Sequence, residues 1–263
     1  WLEEALGRSN DASAVARPKV LFGAGQLARI QGDYHSAYSF YDESLAASRV
    51  AGDKRQIALS SEGLGSVAAY LHGDVKAARA FFEEALTIGR ELGDERVIAT
   101  SLNNLAELER AEGNYAAARP LYEEALTLHR RKGDKEGQSI CLCNLGAVAY
   151  YEADFRAARS YYTEALAAAQ DLGNRIDIAI SLDGFAAIIA KRGNVELAAQ
   201  LAGAADGLRE LIGCQPETAA DRHFRDAYVA LLRTALPEGT FDSAYEHGRG
   251  LKMSEAIALA REE

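Results

Sequence analysis

The chain has 263 residues, 48% hydrophobic and 26% charged, a balance that describes a folded chain with room for a substantial core and excludes a disordered one. A net charge of −10 excludes a concentrated basic surface for direct nucleic-acid contact; the largest basic cluster is His129-Arg130-Arg131-Lys132. No apolar run approaches the roughly 20 residues that span a bilayer, no signal peptide is visible, and three cysteines make no disulfide framework, so a cytoplasmic chain is expected.

Taken in order, residues 2–6 (LEEAL) repeat the YEEAL of residues 122–126, so residues 1–10 read as half of a unit and the sequence as a piece of a longer protein. Helices are then predicted at 17–31, 55–71, 96–112, 136–152 and 176–192, each followed by a turn and a second helix. The second helices begin at Tyr34, Val75, Tyr115, Phe155 and Val195, spaced by 41, 40, 40 and 40 residues. Each carries the same face: Ala37, Ala78, Ala118, Ala158 and Ala198; then Tyr41, Phe82, Tyr122, Tyr162 and Ala202; then Ser44, Ala85, Ala125, Ala165 and Ala205. Small, large and small at steps of four and three is one helix face that admits a close neighbour. Gly52-Asp53, Gly93-Asp94, Gly133-Asp134 and Gly173-Asn174 close the units: glycine stops one helix and Asp or Asn caps the next. A unit of this kind cannot bury its own apolar face, and a stack of them can.

The second unit holds one extra residue before Gly73, which leaves the faces of helix 55–71 ambiguous by one position, and the fifth has Ala202 in place of an aromatic, which predicts a different neighbour there. After Gly213 the period fails. Helices are expected at about 217–235, 240–248 and 254–262, the last with Ser254 as N-cap, as a cap over the end of the stack.

Candidate chemistry is sparse. GAGQLA (23–28) and GLGSVA (63–68) both fit a dinucleotide-binding turn, but they recur with the stacking period and no βαβ alternation follows, so Gly23, Gly25, Gly63 and Gly65 read as close-packing positions. Five histidines lack metal spacing, and Cys141 and Cys143, two apart on a helix, point about 200° from each other. Glu83-Glu84 and Glu123-Glu124 read as a solvated face. No phosphate-binding loop or nucleophile motif occurs, so no cofactor, no metal and no catalysis are expected.

The recurring Gly113-Asn114-Tyr115, Ala118, Tyr122 and Ala125, with Leu145-Gly146, resemble the tetratricopeptide repeat family over about 200 residues, in its longer 40-residue variant. The resemblance implies an all-α, right-handed solenoid of antiparallel helix pairs: five repeats in 1–213 after the half repeat, and capping helices in 214–263. It further implies a concave groove lined by the first helix of each pair. By register the groove residues are Gln26, Arg29, Asn103, Asn104, Glu107, Arg110, Asn144, Tyr150, Tyr151 and Asp183, with Cys143, Ala147 and Lys191 on the same helices and Val67, Tyr70 and Leu71 on the ambiguous one. In peptide-binding members an asparagine at the place of Asn104 and Asn144 clamps a ligand backbone, for which an amide has both donor and acceptor.

AAQLAGAADGLRELIG (198–213) and FDSAYEHGRGLKMSEAIALA (241–260) are similar to the C-terminal end of actinobacterial-type signalling-ATPase and LuxR-like transcriptional regulators. That implies a protein- or peptide-binding sensor or docking arm of a larger bacterial regulator, without nucleic-acid or membrane contact of its own. Two other roles fit the same residues: an oligomerisation scaffold that self-associates, and a sensor of a small-molecule effector.

Overall fold

A computed structural model describes residues 16–213 and 218–262; the half repeat, Cys214 and Pro216 lie outside them. The described chain is all-α, a solenoid array of antiparallel helix pairs followed by capping helices: α1 (Ala16–Ile30), α2 (Tyr34–Ala51), α3 (Lys54–Val67), α4 (Val75–Leu92), α5 (Glu95–Ala111), α6 (Tyr115–Lys132), α7 (Lys135–Tyr151), α8 (Phe155–Leu172), α9 (Arg175–Lys191), α10 (Val195–Ile212), α11 (Ala219–Ala235), α12 (Glu238–Arg249) and α13 (Met253–Arg261). Two compact units divide it, one running to Leu108 and one from Glu109.

The turn chemistry works as its residues dictate. Asp53, Asp134 and Asn174 cap the first helices of their pairs by accepting N–H bonds from Gln56 (3.0 Å), Gly137 (3.1 Å) and Ile176 (3.0 Å). Gly52, Gly93, Gly133 and Gly173 end the helices before them in the left-handed conformation. Ala153 takes that conformation too (φ 61°), where the matching turns have Gly32, Gly73, Gly113 and Gly193. A Cβ there costs about 1–2 kcal/mol. Ala153→Gly is therefore expected to raise stability by about 1 kcal/mol, read as a higher urea midpoint; a lower midpoint would contradict the turn strain.

In the N-terminal unit the extra residue has a physical destination. The end of the third helix widens into a π-turn at Ala68–His72, which absorbs one residue before Gly73. The face ambiguity therefore disappears when positions are counted from the cap Asp53. Tyr41 and Phe82 are buried in this unit, and the glycines of the two decoy motifs make room for them: a Cβ on Gly25 or Gly63 would lie 2.7 Å from the Tyr41 ring, and one on Gly65 2.5 Å from Phe82. Gly23 is different, since a Cβ there would meet nothing within 4 Å. Glu84 also departs from the solvated-face expectation. It is half-buried and accepts from Arg49 (2.6 Å) and Ser61 (2.8 Å), because the neighbouring helices present both donors to it.

In the C-terminal unit Tyr162 is fully buried between Gly146 and Gly184, whose Cβ atoms would approach its ring to 2.8 and 2.3 Å. Ala202 is fully buried in the core of this unit, and the helix that carries it has a neighbour the other second helices lack. α10 meets α12 backbone to backbone, with Gly203 against the Tyr245 carbonyl and Gly248 against the Gln200 carbonyl, an approach that a Cβ at either glycine would block. The last helix starts at Met253 rather than after Ser254: the Lys252 N–H donates to the Glu255 carboxylate (2.9 Å), so the acid three residues on supplies the cap.

Candidate functional site

The residues predicted to line the groove lie on the first helices of the pairs, and the two units present them differently. In the N-terminal unit Gln26 and Arg29 are exposed on α1. Asn103, Asn104 and Glu107 are half-buried on α5. Leu27, Ile30 and Tyr70 are large apolar side chains open to solvent in this unit, and Tyr70 packs against Tyr34 at 4.3 Å between ring centroids. Val67 is buried in the core, and so is not a groove residue.

Sequence reasoning missed Glu62. Counted nine residues from its cap Asp53, it occupies the position of Asn103, Cys143 and Asp183 in the other repeats. Only 9% of it is exposed, and its carboxyl accepts from the Ser101 hydroxyl on α5 at 2.9 Å. Burial pushes this carboxyl up to about 8, against the weaker opposing effects of the Ser101 bond and Arg96. The same rung recurs in the C-terminal unit, where Cys143 meets the Ser181 hydroxyl at 3.8 Å. The signal was available: the cap spacing from Asp53 to Glu62 matches that from Asp94 to Asn103.

In the C-terminal unit the predicted row is covered by the chain itself. α11 lies across it. Arg110 is buried and donates to the Asp221 carboxylate (2.7 Å) and, at 3.4 Å, to the Thr218 hydroxyl. Tyr150 and Tyr151 receive Phe224 edge-on, with centroids 5.2 and 5.8 Å away. Asp183, 4% exposed, forms an ion pair with buried Arg209 and accepts the Tyr228 hydroxyl. Burial alone would lower the Arg209 pKa, and the adjacent Asp183 more than offsets it and raises it. Burial raises Tyr228, and Asp183 adds to the rise, so its hydroxyl stays protonated and donates. A second cluster beside it joins Asp206 to Arg225 and to the Tyr245 hydroxyl. Asn144 is half-buried and Lys191 exposed, while Cys143 and Ala147 are core residues rather than groove residues. Structure thus gathers Arg110, Tyr150, Tyr151 and Asp183 under one helix, and leaves Gln26, Arg29, Asn103, Asn104 and Glu107 in the other unit.

Burial raises the Cys141 thiol to about 12 and raises the Cys143 thiol well above its ordinary value, so neither is a thiolate at neutral pH. Among the described residues no cluster of three or more His, Cys, Asp or Glu is placed to hold a metal ion. No described helix is long and apolar enough to cross a membrane.

Comparison with known proteins agrees with the repeat geometry. A family profile described as tetratricopeptide repeat matches residues 17–91 and 97–171. Curated proteins yield no match. Among solved structures, the chain is similar to BtubC (BKLC) from P. vanneervenii, with 24% identity and a TM-score of 0.65 over 82% of this chain and 90% of that one. It is also similar to the apo form of RapI, at 12% identity and a TM-score of 0.64, over 88% of this chain and 89% of that one. Aspartyl phosphate phosphatase F from Bacillus subtilis gives 12% identity and a TM-score of 0.63, over 92% of this chain and 62% of that one. At these identities the likeness is one of fold.

Proposed function

The chain belongs to the tetratricopeptide repeat family, and from that membership we propose that it is a non-enzymatic module that binds a protein or peptide along the first helices of its pairs. We further assign it to the sensor or docking arm of a larger bacterial regulatory protein, working in the cytoplasm. Tetratricopeptide repeats are generally non-enzymatic and bind protein or peptide partners.

The observation that carries the reading is the contrast between the two units. In the C-terminal unit the row is filled by a helix that uses an acid, an aromatic and a tyrosine to meet Arg110, Tyr150, Tyr151 and Asp183. The row therefore has the character of a peptide-binding surface: fixed polar anchors between apolar contact areas. The N-terminal unit presents the corresponding first helices with exposed Gln26 and Arg29, half-buried Asn103, Asn104 and Glu107, and open apolar side chains beside them. We place partner recognition there. Asn104 supplies the amide for a peptide backbone, Arg29 and Glu107 supply charges of both signs, and Leu27 and Ile30 supply apolar area.

A photo-reactive amino acid placed in turn at Gln26, Asn104 and Glu107, and at Glu83 and Glu123 on the outer helices, tests this in the full-length protein. Adducts with a partner are expected from the first three positions at several times the yield of the last two. Adducts from Glu83 and Glu123 alone would overturn the assignment.

A further inference from the structure

α11 has the design of a bound ligand rather than of a core helix. Four of its contacts with the array fall on one stripe, Thr218, Asp221, Phe224 and Tyr228, spaced three, three and four residues apart, and Arg225 beside them pairs with Asp206 on α10. These reach three successive helices of the array, namely α5 through Arg110, α7 through Tyr150 and Tyr151, and α9 through Asp183. The opposite side of α11, with Arg222, His223 and Asp226, is exposed.

Its neighbours in the cap are held in another way. α12 docks on α10 by the backbone contacts at Gly203 and Gly248. α13 packs on α9 and α10 with Ala256, Ile257 and Ala260 buried. α11 meets α12 through the Arg225 bond to the Tyr245 hydroxyl (3.1 Å), which Asp206 on α10 also holds, and rests on the array through side chains. Leaving the row would not unpack α12 or α13 from α10. Nor would it strand the buried Asp183 charge, since Arg209, on α10, stays paired with it. Both ends of α11 are marked off from the helices beside it, by left-handed Gly213 before it and by extended Leu236 and Pro237 after it.

We propose that α11 is an internal ligand that closes the recognition row of the C-terminal unit, and that an amphipathic helix of a partner takes its place. The replacement presents the same chemistry: an acid in its first turn for Arg110, an aromatic three residues later for the Tyr150–Tyr151 pair, and a tyrosine four beyond that for Asp183. Thr218 and Asp221 have a double use in this arrangement. The Thr218 hydroxyl accepts the Asp221 N–H (3.1 Å) as helix cap and an Arg110 N–H (3.4 Å), while the Asp221 carboxylate places negative charge between the positive helix end and the Arg110 guanidinium. The acid must therefore sit in the first turn, which fixes the direction in which a partner helix binds. This inference rests on reading the row as a recognition surface, but it concerns the C-terminal unit only.

A fluorescent peptide with the sequence of residues 218–235 tests it on the full chain. Asp221→Arg with Phe224→Ala in the chain weakens α11 and leaves the array side chains intact. The peptide is expected to bind this variant at least tenfold tighter than the unaltered chain, and a peptide carrying the same two substitutions is expected not to bind. A second pair guards against a variant that fails to fold: a chain with Arg110→Glu should prefer the peptide with Asp221→Arg over the unaltered peptide by a similar factor. Equal binding to altered and unaltered chains would overturn the proposal, as would no binding to a variant that keeps its helix content. Either result leaves the photo-crosslinking expectation for the N-terminal unit standing, so the two readings fail separately.

Discussion

Asp183→Ala is expected to lower the stability of the C-terminal unit by about 3–5 kcal/mol, because it removes one half of a buried ion pair and leaves the other half charged. Arg209 is 5% exposed and keeps its charge at any accessible pH, so it cannot escape the cost by titrating. The Tyr228 hydroxyl loses its acceptor at the same time and is itself fully buried. Replacing only that donor, as in Tyr228→Phe, leaves the ion pair in place and should cost about 1–2 kcal/mol. The peripheral pair is weaker: Asp221 is partly exposed, so Asp221→Ala should cost less than Asp183→Ala. Urea denaturation of the three variants checks the order. If Asp183→Ala costs no more than Tyr228→Phe, Arg209 is not held by Asp183 in the way described.

Glu62 makes the N-terminal unit sensitive to pH in the direction opposite to most acidic residues. Unfolded, its carboxyl has the ordinary value of 4.5; folded, burial first of all raises it to about 8. The folded state then holds the proton more tightly than the unfolded state. Stability from this group is fully present below pH 4.5 and falls as pH rises through 8, by at most about 5 kcal/mol. Asp94 and Asp134 act in the other sense, since partners in the fold lower their values; their contribution is lost in acid, outside this window. Glu62→Gln keeps the Ser101 bond and removes the proton. Its unfolding free energy should stay flat between pH 5 and 8 while that of the unaltered chain falls. Parallel pH profiles for the two chains would contradict the burial of an ionisable group at this rung.

The helices were legible because their signals are local. Caps such as Asp53 and Asp134 and stops such as Gly52 and Gly133 fix element ends within a turn of sequence. The small–large–small face was legible for the same reason, and even the exception at Ala202 pointed to a different neighbour. What escaped depends on contacts that no spacing encodes. The extra residue of the second unit was visible, but not that the backbone would absorb it as a π-turn, so Glu62 went unplaced. Ser254 matched a cap by type, while the backbone of Lys252 and the Glu255 carboxylate formed the cap in fact.

The groove residues illustrate the same division. Their helix and register follow from the repeat. Their surroundings follow from where α11 goes, a contact between residues more than a hundred apart in the case of Arg110 and Asp221. Thr218, Asp221, Phe224 and Tyr228 do form a stripe in the sequence, and the stripe alone reads equally well as the buried face of any capping helix.

The most direct test of the account is amide hydrogen exchange on the chain without a partner, followed peptide by peptide. If α11 closes the row, its amides are protected to within about tenfold of those of α9 and α12, and Phe224→Ala with Tyr228→Ala speeds exchange in α11 while α12 keeps its protection. Exchange of α11 at the rate of an unstructured peptide, in a chain whose α9 and α10 remain protected, would contradict it.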